Sequence, residues 1–310
     1  MPLSTSNSER QSTPRNYTRA IAAALAAIVL LLVGCELAFR FAFSRISRIE
    51  SRTHNEHLDA LAVRPGAPGK PTILLLGNSL LLESVDYPKI KTEWRSVAAP
   101  TRFVIEQTAY IEWSYGIKRL LSEGARPNRI ILCLNIPQLV GNSIRGEYSA
   151  FYLFRTEDLF QVGKDTGTDL THISSLFFAR YSLFFAGRNL VRNFALNRLQ
   201  PAYGKLLHDF TTVAPRNLSE EEVRRIAGLR LEAVRTLCDQ YGVSFDFMLA
   251  PGFGQGEQGL IQAGKDSQTS VLIPLSLNQW GSDQYRDGFH LNEAGAATFT
   301  RLFTEILWHP

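Results

Sequence analysis

Ile73-Leu74-Leu75-Leu76-Gly77-Asn78-Ser79 is the stretch on which the fold turns. Four apolar residues in a row, without polar alternation, describe a strand covered on both faces, as in a parallel sheet packed between helices. Gly-Asn-Ser then ends the run with turn chemistry. Two further runs read the same way. Ile130-Ile131-Leu132-Cys133-Leu134 ends at Asn135, and residues 243–250 end at Pro251-Gly252. Between the first two lie a shorter strand candidate, Phe103-Val104-Ile105, and a helix predicted from about Trp113 to Ser122, with Gly124 as its stop. Strand, helix, strand at this spacing is a crossover unit, so the sheet is expected to be parallel with helices on both faces.

Before the last of these strands, Ser219 and Glu222 form a capping box. Val223, Ile226, Leu229, Val234 and Leu237 mark the inner face of the helix that follows, and Gly242 ends it. After it come a Gly/Gln-rich loop (253–264), Val271-Leu272-Ile273-Pro274, and a closing helix over about 292–307. Residues 140–216 depart from this pattern. They are rich in aromatics and arginines, among them Phe177, Phe178, Arg180, Tyr181, Phe184, Phe185, Arg188, Arg192, Phe194 and Arg198. A helical insertion over the sheet's C-terminal edge is expected. Its aromatics can pack a subdomain, form a substrate lid or lie on a membrane.

Upstream, residues 1–16 are rich in Ser, Thr, Pro and Arg, and residues 1–18 are read as a disordered cytoplasmic leader. Residues 20–35 carry no charge; Glu36 and Arg40 interrupt, and Phe39, Phe41 and Phe43 continue the apolar character. A helix over 20–43 reaches about 36 Å at ~1.5 Å per residue, enough to cross a hydrocarbon core of about 30 Å. Residues 19–43 are therefore read as a single transmembrane signal anchor, with Arg40 snorkelling to the far interface. A cleaved signal needs small residues at the other end of the run. Leu32-Val33-Gly34-Cys35 also fits a lipobox, which would put a lipid on Cys35, although the apolar run continues past it. A buried globular helix is the third alternative. Arginines flank both ends (Arg10, Arg15, Arg19; Arg40, Arg45, Arg48, Arg52), so charge alone leaves the orientation open. One anchor followed by one domain places that domain on the extracytoplasmic side of the inner membrane. Residues 44–70 read as a basic juxtamembrane helix followed by a Pro/Gly linker (64–69), and 71–310 as the folded domain.

The 310 residues, 45% hydrophobic and 11% aromatic, support one domain of enzyme size after the anchor. The formal net charge of +4 is spread along the chain, which argues against a nucleic-acid binder. Cys35, Cys133 and Cys238 form no close pair, and no Cys/His spacing suggests zinc.

Chemistry is concentrated at two stretches far apart in sequence. Ser79 follows a buried strand, where a hydroxyl and its backbone N–H are exposed at the rim of an α/β sheet. Asp287-Gly288-Phe289-His290 precedes the closing helix. A serine hydroxyl becomes a nucleophile when a base takes its proton, and that base needs a third group to fix its tautomer. Asp287 and His290 on one turn supply such a pair. Asn135, ending another strand, offers a side-chain N–H beside the Ser79 amide for an oxyanion. Each feature has an ordinary structural reading: Gly-Asn-Ser as a turn, Asn135 as a strand end, Asp-x-x-His as a helix entry. Their joint placement at strand ends favours the chemical one. His54 and His57 fall in the juxtamembrane segment, His172 and His208 in the insertion, and His309 at the tail, none with an assignable carboxylate.

These blocks resemble those of the SGNH (GDSL-type) hydrolases: residues 73–79 the first, 287–290 the last, and Cys133-Leu134-Asn135 the Gly-x-Asn block. The resemblance covers roughly 71–139 and 218–307. It implies a flavodoxin-like three-layer α/β/α SGNH fold with a central parallel sheet, here carrying a helical insertion and an N-terminal transmembrane helix. It implies Ser79 as nucleophile, His290 as general base, Asp287 as its orienting acid, and Ser79 and Asn135 as oxyanion-hole donors, with no metal or organic cofactor. Three positions depart from the family pattern. Asn78 stands where Asp is commoner, Cys133 replaces a Gly, and no Gly lies near 107–110, where the second block normally donates a Gly N–H.

The anchored layout is similar to that of bacterial envelope proteins that add or remove acyl groups on exopolysaccharides. The sequence thus predicts a serine esterase or acyltransferase acting through an acyl-serine on O-acylated cell-envelope glycans, in the setting of an envelope polysaccharide-modification complex. Two alternatives stand beside it. One is a catalytically weak binding or scaffold subunit of such a complex, and the other is a lipid-facing esterase or lipase.

Overall fold

The computed structural model describes residues 14–43, 45, 47–144, 146–200 and 218–308. The expected leader lies mostly outside these residues, as do His208, His309 and the 201–217 part of the insertion. Helix α1 runs from Pro14 to Ala38 and ends in a π-helical turn, Phe39–Phe43. It therefore begins within the segment read as disordered. Its 17–43 portion is long and apolar enough to cross a membrane.

Helix α2 (Arg48–Ala62) is capped by Ser47, whose Oγ accepts the Glu50 N–H at 3.2 Å. Strand β1 (Thr72–Gly77) then leads into helix α3 (Ser79–Ser84), and α4 (Tyr87–Glu93) leads to β2 (Ala99–Val104). Helix α5 (Tyr110–Ser122), β3 (Arg129–Leu134) and the short α6 (Ile136–Val140) follow. The insertion holds α7 (Tyr148–Leu153), α8 (Leu159–Thr166), α9 (Leu170–Tyr181) and α10 (Leu183–Leu199). Helix α11 (Glu220–Asp239), β4 (Ser244–Leu249), α12 (Glu257–Asp266), β5 (Ser270–Leu272) and α13 (Glu293–Trp308) complete the chain.

The five strands form one sheet in the order β2-β1-β3-β4-β5, and every pair is parallel. Alternate side chains go to opposite faces. Leu74, Leu76, Ile130, Leu132 and Phe247 pack under α5, α11 and α12, with Trp113, Leu120, Ala227, Leu231 and Leu260. Ile73, Leu75, Ile131, Cys133 and Met248 face α3, α4 and α13, with Leu80, Ile90, Phe299 and Phe303. Burying a Leu or Phe side chain of this kind contributes about 1.5–3 kcal/mol, so a sheet covered on both sides is held by both layers. This is the three-layer α/β/α arrangement expected from the continuous apolar runs. Cys133 and Cys238 are buried free thiols.

The folded unit begins earlier than residue 71. Helix α2 is packed against β2, with Thr53 and Ala60 fully buried. Glu56 accepts from Arg102 Nε and Nη2 at 2.9 and 2.6 Å and from the Val104 N–H at 2.9 Å. Glu50 accepts from the Tyr148 hydroxyl and, at 2.5 Å, from the Tyr152 hydroxyl. The helix read as juxtamembrane is thus part of the folded domain, the covering helix of the β2 edge, held by buried carboxylates. The linker proper is short and tied down: Asn128 Oδ1 accepts from Gly66 N at 2.7 Å and Thr72 N at 2.9 Å. The insertion is helical, as expected, and α7 packs on α5 at Gly116. A Cβ there would stand 2.7 Å from Leu153 Cδ2, which is why that helix carries glycine.

Candidate active site

Strand β1 is flanked by β2 and β3, and its end sets the site. Asn78 is fully buried and caps α3, its Oδ1 accepting from the Leu80 N–H at 2.9 Å. Its Nδ2 donates to Thr108 O at 2.7 Å, fastening the loop after β2 to the start of α3. Ser79 is the first residue of α3, so its own N–H has no partner within the helix and is directed out of the N-terminus. Amide rather than carboxylate at position 78 follows from these contacts, because one side-chain atom must accept and the other must donate.

The other half of the site is a tight loop. Tyr285 and Leu291 form an antiparallel bridge, Arg286 N donates to His290 O at 2.8 Å, and Asn292 N donates to Gln284 O at 2.9 Å. Gly288 turns the loop at φ +78°, in the left-handed region that glycine enters without a Cβ clash. The loop is held over α3 by α13. Thr300 Oγ1 accepts from Asp86 N at 2.9 Å and donates to Ser84 O at 3.4 Å. Across the rim, Arg286 and Glu83 pair at 3.3 Å.

These supports bring Ser79, His290 and Asp287 together. His290 Nε2 lies 3.0 Å from Ser79 Oγ, and His290 Nδ1 lies 2.9 Å from Asp287 Oδ2. Asp287 Oδ1 also accepts the backbone N–H groups of Phe289 at 3.0 Å and His290 at 2.7 Å. Partial burial pushes the Asp287 carboxyl upward, but these hydrogen bonds from His290 and Phe289 outweigh it and bring it down to about 2. The carboxylate stays charged and fixes the imidazole with a proton on Nδ1, leaving Nε2 to accept from the serine. The arrangement can accept a proton from Ser79 and return it. The Asp287 side chain is 41% exposed and that of His290 22%, so the site opens directly to solvent.

Asn135 stands at the adjacent strand end. Gly77 is paired with Cys133, so Ser79 and Asn135 each lie two residues past paired positions on strands about 4.8 Å apart. Asn135 caps α6: its Oδ1 accepts from Gln138 N at 2.9 Å, and its N–H donates to Gln138 Oε1 at 3.1 Å. Its Nδ2 donates to no group among the described residues. Near the expected second block, Gln107 takes φ +60°, the left-handed backbone normally given to glycine. The loop keeps a glycine-type turn without the glycine. No composition signal marks this, because it is a property of backbone rather than side chain.

The remaining described histidines are elsewhere. His57 is buried between Phe103 and Tyr152, and burial pushes it down to about 4. His54 shares helix α2 and His172 lies on α9. Among the described residues no group of three or more His, Cys, Asp or Glu could hold a metal ion.

The parallel sheet order β2-β1-β3-β4-β5, flanked by helices on both faces, is a flavodoxin-like α/β/α architecture, with a serine at the end of β1 and an Asp-x-x-His turn before the last helix. No protein-family model matches the chain, and no curated protein matches it in sequence. Solved structures do. The psychrotrophic esterase EstA from a Pseudoalteromonas species matches at 10% identity with a TM-score of 0.39, covering 77% of this chain and 97% of EstA. A candidate acylhydrolase from Bacteroides fragilis matches at 8% identity and TM-score 0.41, covering 81% and 93% of the two chains. TesA matches at 9% identity and TM-score 0.37, covering 76% and 98%.

Proposed function

We propose that this chain is a membrane-anchored serine esterase or acyltransferase that works through an acyl-serine. The observation that carries the reading is the 3.0 Å approach of His290 Nε2 to Ser79 Oγ across 211 residues of sequence, with Asp287 behind the imidazole. Ser79 Oγ attacks the ester carbonyl carbon as its proton passes to His290 Nε2. The carbonyl oxygen becomes an oxyanion facing the Ser79 N–H and Asn135 Nδ2, the two donors at the rim. Collapse breaks the bond to the alkoxy oxygen, which takes the proton from His290 and leaves as the alcohol. Water or a sugar hydroxyl then attacks the acyl carbon, giving its proton to His290; the acyl carbon–Oγ bond breaks and His290 returns that proton to Ser79 Oγ.

We assign the substrate class to O-acylated glycans of the cell envelope, with the domain on the extracytoplasmic side. An open site, with its carboxylate 41% exposed, suits a polymer lying across the rim better than a small molecule enclosed by protein. The anchor helix, followed by one α/β/α domain, suits a substrate made at the membrane.

The test is labelling of the full chain in detergent by a fluorophosphonate probe, wild type beside Ser79→Ala. Labelling that vanishes in the variant is expected. A folded wild type that does not react would sink the reading and leave the scaffold role. Acyl length is tested on the same preparation: faster turnover of long acyl esters than of acetate would move the substrate from glycan to lipid. A reporter active only outside the cytoplasm, fused at the C-terminus, tests the orientation.

A further inference from the structure

The insertion presents a surface that the proposed chemistry does not use. On α9, Leu170, Ser174, Phe177, Phe178 and Tyr181 recur at i, i+4, i+7, i+8 and i+11, one face of a helix. The four large members are between 44% and 71% exposed, while Leu176 and Ala179 on the other side are buried. Phe184 and Val191 continue the exposed apolar surface on α10, interleaved with Arg188, Arg192 and Arg198. Residues 170–200 contain four arginines and no Asp or Glu. Arg188 pairs with Glu147 at 2.8 Å, whereas Arg192 and Arg198 form no ion pair among the described residues. An aromatic face with arginines at its border is the pattern of a helix lying in a membrane interface.

A second observation fixes where this face sits. Glu36, inside the apolar N-terminal helix, caps α10 from outside. Its carboxylate accepts from Ser182 Oγ at 2.7 Å and from the N–H groups of Leu183 and Phe184, both at 3.0 Å. Arg40 bonds Glu36 at 2.6 Å and Tyr181 O at 3.3 Å. Gly187 lets Phe39 approach, since a Cβ there would stand 2.7 Å from Phe39 Cζ. The joint between α9 and α10 is thus bolted to the end of α1. Measured from Ala20, a hydrocarbon core of about 30 Å ends about twenty residues on, near Arg40. Glu36, one turn earlier, and the helix N-terminus bonded to it stand about 6 Å below that boundary, within the roughly 5–10 Å to which an interfacial helix buries its apolar face.

We propose that α9 and α10 lie in the interfacial zone of the bilayer that α1 crosses, with Phe177, Phe178 and Tyr181 inserted and Arg192 and Arg198 against anionic headgroups. The proposal rests on α1 being a membrane span. It does not require the esterase chemistry.

The experiment uses the full chain with Cys35→Ala, reconstituted into phosphatidylcholine/phosphatidylglycerol vesicles with or without doxyl-labelled lipid. Burial pushes the Cys238 thiol up to about 12 and the Cys133 thiol up as well, so neither competes for an alkylating fluorophore. Single cysteines are placed by Phe178→Cys and Val191→Cys on the proposed face. Leu31→Cys reports on the anchor, and Leu229→Cys, on the exposed side of α11, is the control. The labels at 178, 191 and 31 are expected to lose about half their fluorescence to the lipid-borne quencher, and the label at 229 almost none. If 31 is quenched while 178 and 191 behave like 229, the anchor stands and the surface proposal is overturned. If 178 is shielded from water but insensitive to the lipid quencher, a protein covers the face and the proposal is likewise overturned. An unquenched label at 31 removes the anchor, and the proposal with it.

Discussion

Asn78→Ala cuts two buried hydrogen bonds with one substitution: the 2.9 Å bond from Leu80 N and the 2.7 Å bond to Thr108 O. Water cannot replace either, because the side chain is fully buried. Each neutral bond is worth about 1 kcal/mol, and the Thr108 carbonyl left unpaired adds about 1 kcal/mol more. The expected loss is therefore about 2–3 kcal/mol. A domain of this size shifts by about 2–4 °C per kcal/mol, so the Tm should fall by about 5–10 °C. The assay is tryptophan fluorescence of the full chain during heating in detergent. Trp113 is a local reporter, since its Nε1 bonds Thr108 Oγ1 at 2.8 Å. A Tm within about 1 °C of wild type would refute the claim that this side chain clamps the β2 loop to α3. Asn78→Asp, which changes only the side-chain donor, is the sharper control. Its carboxylate still accepts from Leu80 N but faces the Thr108 carbonyl, so burial and repulsion raise its pKa above the unfolded value of about 3.9. A raised acid pKa means that the deficit is full above the folded pKa, shrinks as pH falls through it, and is gone below the unfolded value of about 3.9.

Further outcomes are expected at other sites. Asp287→Asn should slow fluorophosphonate labelling by about a thousandfold or more, since an amide no longer fixes the tautomer of His290. Because Asp287 is brought down to about 2, its contribution to stability is complete above about pH 4 and is lost as pH falls through about 2. At 41% exposure, screening holds that contribution to about 1 kcal/mol or less, so acid unfolding of Asp287→Asn should differ from wild type only modestly. Gln107→Gly should raise the Tm by about 2 °C, because relief of the φ +60° backbone exceeds the added flexibility of the unfolded chain. Glu56→Ala should cost about 3 kcal/mol in a denaturant melt by leaving Arg102 and the Val104 N–H unpaired. For the same reason a fragment starting at Arg64 should fail to melt cooperatively by circular dichroism, while one starting at Ser47 should.

The sequence made the central strands and the triad pairing legible for different reasons. Strands β1, β3 and β4 announce themselves because both faces are buried, which forces uninterrupted apolar runs. The expected β2 began at Phe103, whereas the strand starts at Ala99. It is an edge strand whose first half is Ala-Pro-Thr-Arg, half exposed and tolerant of proline. Ser79, Asp287 and His290, which the structure brings together, were readable because each residue type falls at a strand end or helix entry where a side chain is presented at the rim. Helix α2 was legible as a helix but not as part of the folded domain, because its buried face is Glu50, Thr53, Glu56 and His57. Periodicity methods count such residues as solvent-facing, and only the partners Arg102, Tyr148 and Tyr152, distant in sequence, reveal otherwise. The clamp made by Asn78 was invisible for a related reason: its second partner is a backbone carbonyl thirty positions away.

Ser79 is made long before the loop that carries Asp287 and His290. Ser79 and His290 are 211 residues apart, and at about 5–20 residues per second the ribosome needs about 10–40 s to travel between them. During that interval the nascent protein holds its serine with no base to activate it, and α13, which braces the base against α3, does not yet exist. On the proposed mechanism, Ser79 stays unactivated until residue 290 has been made. On the same mechanism, a product that terminates before residue 290 carries no acyl-transfer activity, because it lacks the base.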